Sequence, residues 1–127
     1  MKLTKPQREA LRMKFGGLCA YCGNPLGDRW HADHFEAVRR NDWGKVPGPP
    51  EHPERDRLDN LMPACAPCNI DKHSMKLEDW RGQMERSHDV LHRDNGTYRR
   101  MLRYGLVLEA RRPIVFHFER SAMRAGA

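Results

Sequence analysis

The sequence predicts a small α+β domain stapled by metal, on three observations. Two Cys-x-x-Cys pairs, Cys19/Cys22 and Cys65/Cys68, have the spacing at which one turn presents both sulfurs to one ion. Four such thiolates suit a tetrahedral Zn²⁺. Between the pairs runs His31-x-Asp33-His34, and Asn69 follows the second pair directly, supplying oxygen and imidazole groups suited to a harder cation and to proton transfer. Finally, short helix-like and strand-like runs alternate along 127 residues, with 39% hydrophobic content and a mean hydropathy of −0.87. That composition allows one modest core, for which a staple compensates.

Taken in order, residues 5–15 read as a short helix, with Pro6 in its first turn, Leu11 and Phe15 on one face, and Gly16-Gly17 as its end. Cys19-Ala-Tyr-Cys-Gly follows as a knuckle in which Gly23 permits the tight turn. Residues 29–38 alternate loosely and predict a strand that delivers Asp33 and His34 near its end. Residues 39–57 hold Pro47, Pro49, Pro50 and Pro53 with two glycines, which predicts a long surface loop beside the site. Asn60-Leu-Met-Pro reads as a second short strand entering the second knuckle, and residues 69–76 as a helical turn continuing from Cys68. Leu77, Trp80, Met84 and Leu91 fall near helical spacing, so residues 77–93 predict one amphipathic helix, weak at Gly82 and stopped at Asn95-Gly96. Tyr98–Tyr104 predicts another helical turn. Leu106–Ala110 with Ile114–Glu119 predicts a C-terminal β-hairpin, with Ile114, Phe116 and Phe118 on one face. The size prior makes residues 1–127 a single domain.

Charge is unevenly placed. Residues 1–15 carry five Lys/Arg against Glu9 alone, +4; residues 81–127 carry ten Arg against five acids, +5; residues 16–80 hold eight basic and eleven acidic groups, −3. Basic flanks would grip a polyanion while the acidic middle draws in cations, and together with the metal-type residues this points to nucleic acid. Met1 to Phe15 is polar and basic, so neither a signal peptide nor a membrane span is expected there. The expected setting is cytoplasmic, where reduced thiols favour metal over disulfides.

The order Cys19-x-x-Cys22, His31-x-Asp33-His34, Asp59-Asn60-Leu61, Cys65-x-x-Cys68-Asn69 and Lys72-His73 resembles the HNH endonuclease family, particularly its small zinc-stapled phage and bacterial members. The three positions in the family's name fall on His34, Asn60 and Asn69, with the nine-residue interval kept. The resemblance covers about residues 15–76, leaving about 77–120 as an extension. It implies a ββα-metal (His-Me finger) fold with a structural Zn²⁺ on Cys19, Cys22, Cys65 and Cys68 and a catalytic Mg²⁺ or Mn²⁺.

What the resemblance implies for single residues agrees with their chemistry. His34 is the candidate general base, since a near-neutral imidazole takes a proton from water at physiological pH. Asp33 points to the other side of the strand and suits Mg²⁺. Asn69 would be the second ligand, steadied by its neighbour Cys68, and His73, four residues on, a further one. Asn60 would brace the loop carrying the base. Lys72, Arg39 and Arg40 would touch phosphate. His31 is assigned a supporting or DNA-contacting role, while His52, His88, His92 and His117 receive none. Trp80 reads as core, and Trp43 is undecided between core and base stacking.

By the same resemblance the substrate is DNA, cut by nicking or double-strand cleavage to 5′-phosphate and 3′-hydroxyl ends in a bacterial host cell. The biological role looks like that of phage proteins linked to DNA packaging, with the terminase or a second copy of this chain as partners. Restriction and mobile-element roles are rivals. The other class of function is a non-catalytic zinc-binding module for DNA or protein.

Overall fold

The computed structural model describes residues 1–40 and 45–125; Trp43 lies outside them. The chain forms two compact units, one of Met1–Leu77 with Val115–Ala127 and one of Glu78–Ile114.

In the first unit, Thr4 caps helix α1 (Lys5–Arg12). Its hydroxyl accepts from the Gln7 N–H, and the Gln7 side chain accepts from the Thr4 N–H, so two donors that the first turn leaves open are both paired. A 3-10 turn, Met13–Phe15, continues the helix to Gly16, whose φ of +64° ends it. Leu11 faces the core, and the Arg8 guanidinium lies 4.0 Å over the Trp30 ring while donating to the Trp30 carbonyl at 3.2 Å.

Strands β1 (His31–His34) and β2 (Leu61–Ala64) pair antiparallel, with His31 opposite Ala64 and His34 opposite Leu61. The Phe35 N–H extends this ladder to the Asn60 carbonyl at 2.8 Å. The end of β1 is thereby fixed against the entry to β2. Between the strands, the base of the long loop is pinned where the His52 and Glu51 N–H groups donate to the Val38 and Arg39 carbonyls. Within it, 3-10 turns occupy Pro53–Arg55 and Leu58–Asn60. Helix α2 (Ala66–Lys72) starts straight off β2 with Cys65 at its N-cap. It is shorter and earlier than the sequence suggests, because His73 takes φ +55° and stops it.

The second unit holds helices α3 (Leu77–Glu85, from Glu78), α4 (Ser87–Asp94) and α5 (Gly96–Arg103). The predicted helix over 77–93 is thus two. The break falls at Arg86, which takes φ −89° and ψ 1°, and not at Gly82. Asn95 ends α4 and caps α5, its side-chain oxygen accepting from the Tyr98 N–H at 2.9 Å. Beyond α5, the Glu109 carboxylate accepts from the Tyr98 hydroxyl (2.7 Å) and Arg111 (3.1 Å) and meets the His92 ring, while Arg111 also bonds Asp89. These bonds hold the segment onto α4 and α5.

The expected C-terminal hairpin is not formed. Leu106–Ala110 carries no strand, and His117–Ala125 is helix α6. The Phe116 N–H donates to the Glu119 carboxylate at 2.9 Å, a capping arrangement, and the N–H groups of His117 and Phe118 donate to the Tyr21 and Ala20 carbonyls. The helix start is therefore paired on the first knuckle, where Phe116 and Phe118 pack edge-on against Tyr21. A Phe-x-Phe alternation reads as strand, but Glu119 three residues after Phe116 was a helix-start signal.

Among the described residues, the buried hydrophobic core of this unit is small: Leu11, Cys19, Ala20, Tyr21, Leu26, Trp30, Val38, Leu61, Ala64, Cys65 and Phe116. In the second unit Trp80 is buried, as its helical spacing predicts. No described helix is long and apolar enough to cross a membrane.

Candidate active site and metal centre

The four cysteine sulfurs lie within 4.8 Å of one another and could hold a metal ion. A tetrahedral ion with Zn–S bonds of about 2.3 Å separates its sulfurs by roughly 3.8 Å. Cys22 Sγ and Cys65 Sγ are 3.7 Å apart, so the donor set fits. Backbone N–H groups of Tyr21 and Cys65 point at Cys19 Sγ at 3.4 Å, and that of Asn24 at Cys22 Sγ at 3.5 Å. The thiols titrate as a set: the Cys68 thiol chiefly, then the backbone amides of Cys65, Cys22 and Tyr21, lowers the Cys19 pKa, while the same contact raises that of Cys68 and burial raises that of Cys65. Gly23 takes φ +77°, and a Cβ there would stand 3.1 Å from the His117 ring, so both backbone and space call for glycine.

Beside this cluster, β1 and α2 wall a cleft of about 620 Å³. Asp33, His34 and Asn69 all line it, with His73, Arg39 and Arg40. The placement is local: Asp33 and His34 line it from the end of β1, and Asn69 from α2, where it follows Cys68. Arg39 and His73 both adopt φ +55°, which is rare outside glycine, and both sit on the cleft wall.

Each side chain has a defined environment. The Asp33 Oδ2 accepts from the Tyr21 hydroxyl at 2.6 Å and pairs with the Lys72 ammonium at 3.1 Å. Burial, then the Asp33 charge, keeps the Tyr21 phenol protonated by raising its pKa. Among the described residues, Asp33 Oδ1 and the Asn69 carboxamide have no hydrogen-bond partner, which leaves two oxygens for a hard cation. His34 Nε2 lies 2.8 Å from Asp56 Oδ1. The other Asp56 oxygen meets the Met1 amino group at 2.5 Å, and that amine first, then His34, lowers the Asp56 pKa.

Asn60 is buried and makes three bonds: its amide nitrogen donates to the Glu36 and Arg55 carbonyls at 2.9 and 2.7 Å, and its oxygen accepts from the Glu36 N–H at 2.9 Å. It joins the segment after His34 to the loop carrying Asp56. The His73 Nδ1 accepts from the Ser74 N–H at 2.9 Å. Its lone pair on that side is engaged within its own turn. His31 is exposed and does not line the cleft.

Lys72 corrects the sequence reading. Expected to contact phosphate, it is fully buried, with its ammonium on Asp33 and on the His34 carbonyl at 3.1 Å, so no phosphate reaches it. It shares the turn of α2 that faces β1, and a Lys in the last turn of a helix reads from sequence as solvated. The exposed Arg39 and Arg40 remain at the cleft rim. Asp56 was missed altogether: Glu51, Glu54, Asp56 and Asp59 crowd one loop, and nothing in the chain singles it out.

Residues 19–75 match the family described as HNH endonuclease. This segment is similar to that family. It encloses both knuckles, both strands and α2, the elements that build the cleft. The match suggests a nuclease of that family. Comparisons with curated proteins and with solved structures give no match.

Proposed function

We propose that this protein is a metal-dependent endonuclease of the HNH type that hydrolyses DNA phosphodiester bonds. The observation that carries the reading is the meeting of a carboxylate, an imidazole and a carboxamide, from Asp33, His34 and Asn69, in one cleft. Cys19, Cys22, Cys65 and Cys68 would hold a structural Zn²⁺. Asp33 Oδ1 and the Asn69 oxygen would hold Mg²⁺ or Mn²⁺, completed by water, with His73 a weaker candidate because its Nδ1 is engaged. When bound, that ion neutralises charge developing on the scissile phosphate and the leaving oxygen. His34 takes the proton of the attacking water. Asn60 keeps the segment after His34 in place, and Arg39 and Arg40 draw the DNA backbone to the cleft rim.

A phage origin, a place in DNA packaging beside a terminase, and action as a pair of chains complete the reading by family analogy. Supporting the pair is stoichiometry alone: one cleft cuts one strand. The rival, a non-catalytic zinc module, predicts DNA binding without cutting.

Plasmid nicking with Mg²⁺ or Mn²⁺ separates the two. The wild-type chain should nick supercoiled DNA only with added metal. His34→Ala should abolish nicking while DNA binding and zinc content stay unchanged. Binding with no cleavage by the wild type under any metal would favour the rival.

A further inference from the structure

His34 is one half of a pair. Its Nε2 faces Asp56 Oδ1 at 2.8 Å, with the two side chains 20% and 30% exposed, and among the described residues no hydrogen bond reaches its Nδ1. A carboxylate only accepts, so the hydrogen between them belongs to Nε2. The neutral ring then has its lone pair on Nδ1.

We infer that Asp56 is the positioning residue of the site: it fixes His34 in the Nε2–H tautomer and the ring plane, so that Nδ1 accepts the proton of the attacking water. The inference rests on the nuclease reading above for the word water, but not for the tautomer. The surroundings fit the role. Asp56 closes the Pro53–Arg55 turn, and Asn60 ties the Arg55 carbonyl to the segment after His34, so acid and base are held by one network. Once proton transfer makes His34 cationic, the same carboxylate stabilises it as an ion pair. A base whose far nitrogen is held by a third group is the general arrangement by which an imidazole is aimed.

The test uses the full-length chain. Ring ¹⁵N shifts of His34 at pH 8, where imidazole is neutral, should report Nε2–H in the wild type and a mixture of tautomers in Asp56→Ala. In plasmid nicking, Asp56→Ala should lower kcat by about 10- to 100-fold with KM for DNA unchanged, the usual effect of removing such a partner. Asp56→Glu, which keeps the carboxylate, should restore part of both the tautomer preference and kcat. Thermal melts show whether the variants are folded. An unchanged His34 tautomer in a folded Asp56→Ala overturns the inference whatever the nicking result. Should the wild type hold the Nε2–H tautomer through Asp56 but cut no DNA, the positioning stands and the nuclease reading fails.

Discussion

The Lys72 ammonium, with no solvent exposure, stands 3.1 Å from the Asp33 carboxylate, itself 7% exposed, across the α2–β1 contact. This ion pair occupies one oxygen of the candidate metal ligand and leaves the other directed to the cleft. Two charges taken out of water cost several kcal/mol each, and only their mutual attraction and further bonds offset this. Here those bonds are the Tyr21 hydroxyl on Asp33 and the His34 carbonyl on Lys72.

Removing one partner therefore leaves a buried charge alone. Lys72→Met should destabilise the protein by roughly 3–5 kcal/mol, read from urea unfolding. The double variant Lys72→Met with Asp33→Asn should recover part of that loss. Equal stabilities of the two single variants and the wild type would show that the pair is open to water.

Asn60 makes its three bonds from a buried position. Asn60→Ala orphans two carbonyls and one N–H and should cost roughly 2–3 kcal/mol, since each unpaired buried group is expensive. Asn60→Asp keeps the bond from the Glu36 N–H but turns negative charge on the Glu36 and Arg55 carbonyls. It should be at least as damaging as alanine, in the same unfolding measurement.

Metal content reads the cysteine cluster apart from catalysis. Chelation or Cys65→Ser should remove about one zinc per chain and abolish cooperative melting, because in modules with little core the bound ion supplies most of the folding free energy. A melt unchanged by either treatment would show that the four sulfurs are not a staple.

Acid should loosen the segment after α5 as the pH falls below the ordinary 4.5 of Glu109. The Tyr98 hydroxyl chiefly, with Arg111 and His92, holds the Glu109 pKa at about 2, below its ordinary 4.5. A depressed carboxylate stabilises fully above 4.5 and loses that contribution as pH falls toward 2. Amide exchange in residues 106–112 should rise across that window in the wild type, and should already be raised at pH 7 in Glu109→Gln.

Local patterns carried most of the site. The Cys-x-x-Cys pairs, the His-x-Asp-His run and Asn69 beside Cys68 are chemistry written at short spacing, and the capped start of α1 with the glycine after it is legible for the same reason. The C-terminal hairpin failed because alternation over six residues does not distinguish a strand from a helix start, and the decision came from the Tyr21 and Ala20 carbonyls about a hundred residues away in sequence. Asp56 and Lys72 are the instructive pair. One is an acid among several in a loop and drew no reading, the other a basic residue at a helix end read by its charge, and the place of each is set by its neighbour.

Residue types and spacings were thus enough to pick out four cysteines that cluster and three groups, Asp33, His34 and Asn69, that line one cleft. Folding alone settled which lysine is buried, which carboxylate faces His34 and which ring nitrogen is left to accept a proton. The reason is physical: ligand spacing within a turn is a property of the local chain, whereas burial and hydrogen-bond partnership depend on which distant segments the fold brings within about 3 Å.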